Sequence, residues 1–174
     1  MRLFLGTFVT MYDYLAIKKD FSFLEGKWVE KRNLHLTYHF IGEVATPLPI
    51  IKQLSTLAYE PQTIPIKALG FFGSPPKILY AKASSEQLYA IAKQIHQLLA
   101  IEDPKPFIPH ITLCRIKRVK NFDKFIKKIR TYEHKRLGVM ELKVALIQSH
   151  LTPKGPVYKT IHTFTNTKKC REAP

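Results

Sequence analysis

Acidic residues are scarce in this 174-residue chain. Asp and Glu number 13 against 28 Lys and Arg, for a formal net charge of +15 at pH 7. A surplus of that size favours a polyanionic partner, nucleic acid ahead of an anionic membrane, because no stretch makes a convincing basic amphipathic helix with bulky apolar anchors. Cysteine is nearly absent. Cys114 and Cys170 are too few for a disulfide framework and too far apart for a CxxC site, so both read as reduced thiols. No apolar run approaches the roughly 18 residues of a membrane span. The opening "RLFLGTFVTMYDYL" also lacks a small-residue cleavage site, so the expected address is the cytoplasm and no membrane partner is expected. A Gly/Ser linker and low-complexity breaks are missing too, which leaves one domain over residues 1 to 165 and a loose tail over 166 to 174.

What is present falls into regular segments. "MRLFLGTFV" predicts an opening strand, Met11 to about Leu24 a short helix, and "KWVEKRNLHLTYHFIGEV" a brief strand, a turn at Asn33 and a longer strand. Thr46 as N-cap and Pro47 as first helical residue introduce a helix carrying Ile50, Ile51, Leu54 and Leu57 at helical spacing. "TIPIKALGFFG" and "KILYAKA" predict two strands around the Ser74 to Pro76 turn. "SSEQLYAIAKQIHQLLA" then predicts a helix capped by Ser84 or Ser85, with His96 at the edge of its apolar face. A strand "HITLCRI", a basic helix "NFDKFIKKIRTYEHK", and strands in "GVMELKVALIQSHL" and "VYKTIHTFT" complete the order. Strands and helices mix without regular βα alternation, so the fold class is α+β.

Histidine carries the chemistry. In "NLHLTYHFIGEV" the residues Leu34, Leu36, Tyr38 and Phe40 alternate with His35, Thr37 and His39, a strand pattern that puts His35 and Thr37 on one side. On a strand His35 and His39 lie roughly 13 Å apart, too far for one metal ion. The glutamate of an HExxH helix is also missing after His35. No metal or other cofactor is expected. His35-Leu36-Thr37 recurs as His110-Ile111-Thr112, and two such strands side by side would present two imidazoles and two hydroxyls to one cleft. A third tripeptide, His150-Leu151-Thr152, runs into Pro153-Lys154-Gly155-Pro156 and reads as a decoy at a strand end.

The contexts "WVEKRNLHLTYHFIGEV" and "PFIPHITLCRIK", with "RLFLG" before them, "FFGSPPKILYAKA" between and "SHLTPKGPVYKTIHTF" after, resemble the two-histidine phosphoesterases. Within that superfamily they resemble the RNA 2′,3′-cyclic phosphodiesterases, also called 2′-5′ RNA ligases. The resemblance implies a bilobal α+β fold with pseudo-twofold symmetry and antiparallel-rich sheets around a central groove. It places the catalytic positions on His35, Thr37, His110 and Thr112, and a phosphate-binding arginine on Arg115. Strict alternation from His110 sends Arg115 to the wrong face, so that role requires a bulge or the strand's end near Ile111 to Cys114. Tyr38 stands where the family has leucine and is expected to face the core. His39 is not customary and could line the groove as an extra titrating group.

The implied reaction is hydrolysis of a 2′,3′-cyclic phosphate end to a 2′-phosphate. His110 would be the base for water and His35 the acid for the 3′ oxygen, with 2′-5′ ligation as the reverse activity. The expected partner is RNA with cyclic phosphate ends, tRNA fragments among the candidates, bound by a monomer. Lys124, Lys127 and Lys128, on the solvent side of the basic helix, are candidate contacts to its backbone. Two other readings stay open at this stage. One is a basic RNA-binding module without catalysis; the other is a phosphodiesterase of a small cyclic nucleotide or sugar cyclic phosphate.

Overall fold

Period-2 patterning yields strands where the residues predict them, and their hydrogen bonds build one sheet. In the computed structural model, which describes residues 1–165, the order is β1 (Arg2–Phe8), β2 (Thr10–Met11), α1 (Tyr14–Asp20), β3 (Leu24–Trp28) and β4 (His35–Glu43). There follow α2 (Leu48–Gln53), β5 (Thr63–Phe72), β6 (Ile78–Ala83), α3 (Glu86–Leu98) and β7 (His110–Val119). The described chain ends with α4 (Phe122–Arg130), β8 (Arg136–Glu141), β9 (Val144–Thr152) and β10 (Gly155–Phe164). The tail expected over 166–174 lies outside the described residues.

The strands pair in the order β10, β9, β1, β4, β7, β6, β5, β8, β2, with β3 joined to β7 off this path. Every pairing is antiparallel. With β2 and β3 set aside, the order is symmetric about the β4–β7 pair: β4 corresponds to β7, β1 to β6, β9 to β5 and β10 to β8. The two halves meet where β4 pairs β7 through a single register, Leu36 opposite Ile111. Both side chains are fully buried, and burial of each stabilises the junction by roughly 1.5–3 kcal/mol. They are the middle residues of the two His-x-Thr tripeptides, so alternation turns both histidines and both threonines to the opposite, open face.

The core lies on the Leu36 and Ile111 side. Leu3, Leu5, Leu79 and Leu113 from the strands meet Leu88, Ile91 and Ile95 of α3 and Phe125 of α4. A separate small cluster, Phe4, Ala145 and Ile147 with Phe8 and Tyr158, sits on the open face of β1, β9 and β10.

Three segments differ from the sequence expectation. The helix expected from Met11 to Leu24 covers only Tyr14–Asp20, because Thr10 and Met11 pair with β8 and Leu24 begins pairing with β7. At α2 the boundary moves by one residue: Pro47 is the N-cap, and the Thr46 hydroxyl accepts from the Leu48 amide at 3.4 Å. "GVMELKVALIQSHL" breaks at Leu142 and Lys143, where the chain crosses from one half of the sheet to the other. The Leu142 amide donates to Gln62 O at 2.9 Å and the Thr7 hydroxyl donates to Lys143 O at 2.9 Å.

Candidate active site

β4 and β7 carry the same backbone irregularity at the same place. Against β1, β4 skips one partner between His39 and Thr37, so Tyr38 is an extra residue. Against β6, β7 skips one partner between Cys114 and Thr112, so Leu113 is extra. A bulge resets the alternation by one position. After Thr37 the next residue on the open face is therefore Phe40, and after Thr112 it is Arg115. The condition that the sequence set for Arg115 is met, and the same device turns His39 away from His35.

The open face is a cleft of about 1180 Å³ lined by His35, Thr37, His110, Thr112 and Arg115 together. Leu36 opposite Ile111 sets the two histidines on a diagonal, roughly 7–8 Å apart at the Cα atoms. That separation leaves room for one phosphate between the rings. Each histidine is held alike: His35 Nδ1 lies 2.6 Å from Asn33 O, and His110 Nδ1 lies 2.7 Å from Ile108 O. A carbonyl oxygen only accepts, so each Nδ1 carries the proton of that bond and Nε2 is left for substrate. Neutral, such an Nε2 takes a proton; charged, it gives one.

The surroundings of the two rings differ. His35 is wedged among Phe4 (ring centroids 4.8 Å), Tyr158 (5.1 Å, edge-on) and Phe8 (6.3 Å). Burial in this nest pulls its pKa below the usual histidine value, and the nearby Arg115 and His110 pull the same way, against the bond to Asn33 O. His110 is backed by Phe72 (4.9 Å) and Tyr80 (5.6 Å), which stack on each other at 4.3 Å. Two glycines make this packing possible. A Cβ on Gly6, opposite Thr37, would lie 2.6 Å from Leu36 O, and one on Gly70 would lie 2.7 Å from the Tyr80 ring.

The remaining candidates separate cleanly. Tyr38 is buried, and because the Thr7 hydroxyl already donates to Lys143 O, the Tyr38 hydroxyl donates to Thr7 Oγ1 at 3.1 Å. His39 reaches a remote corner of the cleft, packed on His96 of α3 (5.4 Å); burial and that neighbour lower its pKa. His150 is exposed and is not among the cleft residues, although Ser149 and Leu151 are. Thr152 closes the β9 to β10 turn by donating to Gly155 O at 2.6 Å. Lys124, Lys127 and Lys128 are not among the cleft residues; among the described residues its lysines and arginines besides Arg115 are Arg2, Lys27, Lys105 and Lys154. Cys114 is a buried thiol whose pKa burial raises to about 11, so it is chemically quiet.

Sequence reasoning missed Asn33 and the aromatic nest. Asn33 is buried, supplies the carbonyl that orients His35, and donates from Nδ2 to Pro156 O at 2.8 Å, tying the β9 to β10 hairpin to the site. No helix among the described residues is long and apolar enough to cross a membrane.

Comparison with known proteins gives concordant findings. A family model described as the 2′-5′ RNA ligase superfamily matches residues 16–150. An RNA 2′,3′-cyclic phosphodiesterase of Aquifex aeolicus is 35% identical over 85% of this chain and 86% of its own length. One of Methanocaldococcus jannaschii is 32% identical over 92% and 98%. Among solved structures, TT0787 of Thermus thermophilus superposes with a TM-score of 0.72 at 27% identity, covering 94% of this chain and 97% of that one.

Proposed function

The chain belongs to the 2′-5′ RNA ligase superfamily, and from that premise we propose that it is an enzyme that hydrolyses RNA 2′,3′-cyclic phosphate ends. One observation carries this reading: two Nδ1-anchored histidines face each other across a cleft, each with a threonine beside it. A cyclic phosphate between them has a proton acceptor on one side and a proton donor on the other.

His110, in the more open half, takes a proton from water at Nε2 as the water oxygen attacks phosphorus. The P–O3′ bond breaks, and His35 gives its Nε2 proton to the departing 3′ oxygen. The product carries a 2′-phosphate and a 3′-hydroxyl, and the pair of histidines has exchanged protonation states. The dry nest around His35 favours its neutral form in the free protein; the negative phosphate, once bound, restores the proton that the acid role needs. Thr37, Thr112 and Arg115 donate to the non-bridging oxygens, whose charge grows in the transition state. No step calls on a metal ion. With a 5′-hydroxyl end in place of water as the nucleophile, the same groups working in the same direction would form a 2′-5′ bond, so ligation parallels the hydrolysis instead of reversing it.

The test is digestion of an RNA that ends in 2′,3′-cyclic phosphate, with and without chelator, followed by mapping of the product's phosphate. A 2′-phosphate formed at an unchanged rate in chelator is expected. A 3′-phosphate product would reverse the leaving-group assignment, and loss of the rate in chelator would bring a metal back into the mechanism.

A further inference from the structure

An RNA longer than one nucleotide has to leave the cleft somewhere, and one wall offers an exit. Residues 99 to 109 connect α3 to β7; the stretch 101 to 109 has prolines at 104, 106 and 109 and contains the Ile108 carbonyl that orients His110. This loop separates the cleft from a second groove of about 440 Å³ on its far side, bounded by α3. The two share His96, Ile101, Pro104, Lys105, Pro106 and Phe107 as lining, so the second groove continues the first over the loop.

Its chemistry suits a nucleic-acid strand. A row of rings leads outward from the catalytic strand: Tyr38 stacks on Phe107 (6.0 Å), and Phe107 meets Tyr89 of α3 edge-on (5.7 Å). Tyr38 is fixed by its bond to Thr7, which anchors the row. Tyr89, 50% exposed, ends the row with ring surface open to solvent. Lys93 and Lys105 supply positive charge, and among the described residues no carboxylate lines this groove. Stacking rings beside a cationic track is the arrangement that holds single strands without reading their sequence.

We propose that the groove between α3 and the 101–109 loop binds the single-stranded RNA upstream of the cyclic end, with Tyr89 stacking a base and Lys93 contacting a phosphate. This rests on the phosphodiesterase reading and names where the rest of its substrate lies. Tyr89 and Lys93 line the second groove but not the catalytic cleft, so they can be changed without touching the reaction.

The experiment compares wild type with Tyr89→Ala and Lys93→Gln on two substrates, uridine 2′,3′-cyclic phosphate and a hexaribonucleotide with the same end. Binding of the hexamer's 2′-phosphate product is measured in parallel against salt. Expected are a kcat/KM on the hexamer roughly fivefold or more lower in Tyr89→Ala, with the mononucleotide unchanged. For Lys93→Gln the log–log salt slope of binding should flatten by about 0.7, the share of one single-strand phosphate contact. Equal losses on both substrates, or none on the hexamer, would overturn the proposal. If wild type turned over neither substrate, the phosphodiesterase reading would fail, and the binding arm would still decide: unchanged affinity and slope in both variants would place the strand elsewhere.

Discussion

The two halves of the cleft share a backbone and differ in what they hang on it. Phe8 lies opposite His35 where Lys82 lies opposite His110; Gly6 faces Thr37 where Tyr80 faces Thr112. Beyond the matched bulges, Phe40 faces Phe4 where Arg115 faces Ile78. Rings enclose His35 on three sides, whereas His110 is more open and its strand carries Arg115. A single His-x-Thr-bulge scaffold, used twice, thus yields two imidazoles with different working environments. Which imidazole takes a proton and which gives one is set by the side on which each meets the bound phosphate, and the two environments tune those roles.

The largest expected effect treats the halves as equals. His35→Ala and His110→Ala each remove a proton-transfer partner and should lower kcat on a cyclic-ended RNA by about 10²-fold or more, with circular dichroism unchanged. Near-normal turnover in either variant would mean that one half suffices and the two-histidine mechanism is wrong.

Arg115 exists in one half only, its counterpart being Phe40. Removal of one donor to developing phosphoryl charge costs about 10²-fold in related oxyanion sites, and that is the expected loss in kcat/KM for Arg115→Gln. Arg115→Lys should recover part of it, since the charge returns without the two-pronged geometry. If Arg115→Gln were indistinguishable from wild type, the bulge at Leu113 would have no catalytic purpose.

A smaller effect sharpens the division of labour. Burial is the main cause of the lowered His35 pKa, and Tyr158 is part of that nest. Tyr158→Ala should admit water and raise the His35 pKa toward its ordinary value of about 6.5. If His35 is the acid, it must be protonated to act, so the alkaline limb of the kcat/KM profile should move to higher pH. If His35 were the base, it would have to be neutral, and the acidic limb would move up instead. The limb that shifts therefore assigns the roles.

These contrasts were legible in the sequence to different depths. Period-2 patterning and the repeated tripeptide exposed the strands, the four motif residues and the α+β class, because each depends on residues adjacent in sequence. The bulge in β7 was called for by Arg115 but not located, and its counterpart in β4 was not visible: Tyr38 and Leu113 look like ordinary core positions, and only pairing with β1 and β6 shows them as extra. The aromatic nest was hidden for the same reason, since Phe4, Phe8 and Tyr158 become neighbours of His35 only through the β10, β9, β1, β4 order. Strand ends also escaped, because pairing partners far along the chain capture Met11 and Leu24 from a helix that local spacing would extend.

The smallest expected effect concerns the basic helix that the sequence offered as an RNA track. Asn121 caps α4 by accepting from the Lys124 amide at 2.9 Å, and Phe125 is buried beneath it. Its place relative to the cleft follows from two adjacent residues of β5. Phe71 packs on Phe122 (6.5 Å) and Phe125 (5.3 Å) of α4, whereas Phe72 packs on Tyr80 and His110. Successive strand residues point to opposite faces, so α4 lies behind the sheet whose front holds the histidines. A helix with its side chains is about 10 Å thick, and sheet and helix together separate the solvent-facing lysines from the cleft by more than a Debye length of about 8 Å at physiological salt. Lys124 moreover sits 4.7 Å over the Phe23 ring, a local contact. Changing Lys124, Lys127 and Lys128 together to Gln should leave the hexamer's kcat/KM within about twofold and its salt slope unchanged. A slope flatter by about 0.7 for each lysine would show that the strand wraps behind the sheet, and the upstream path would then run past α4 instead of α3.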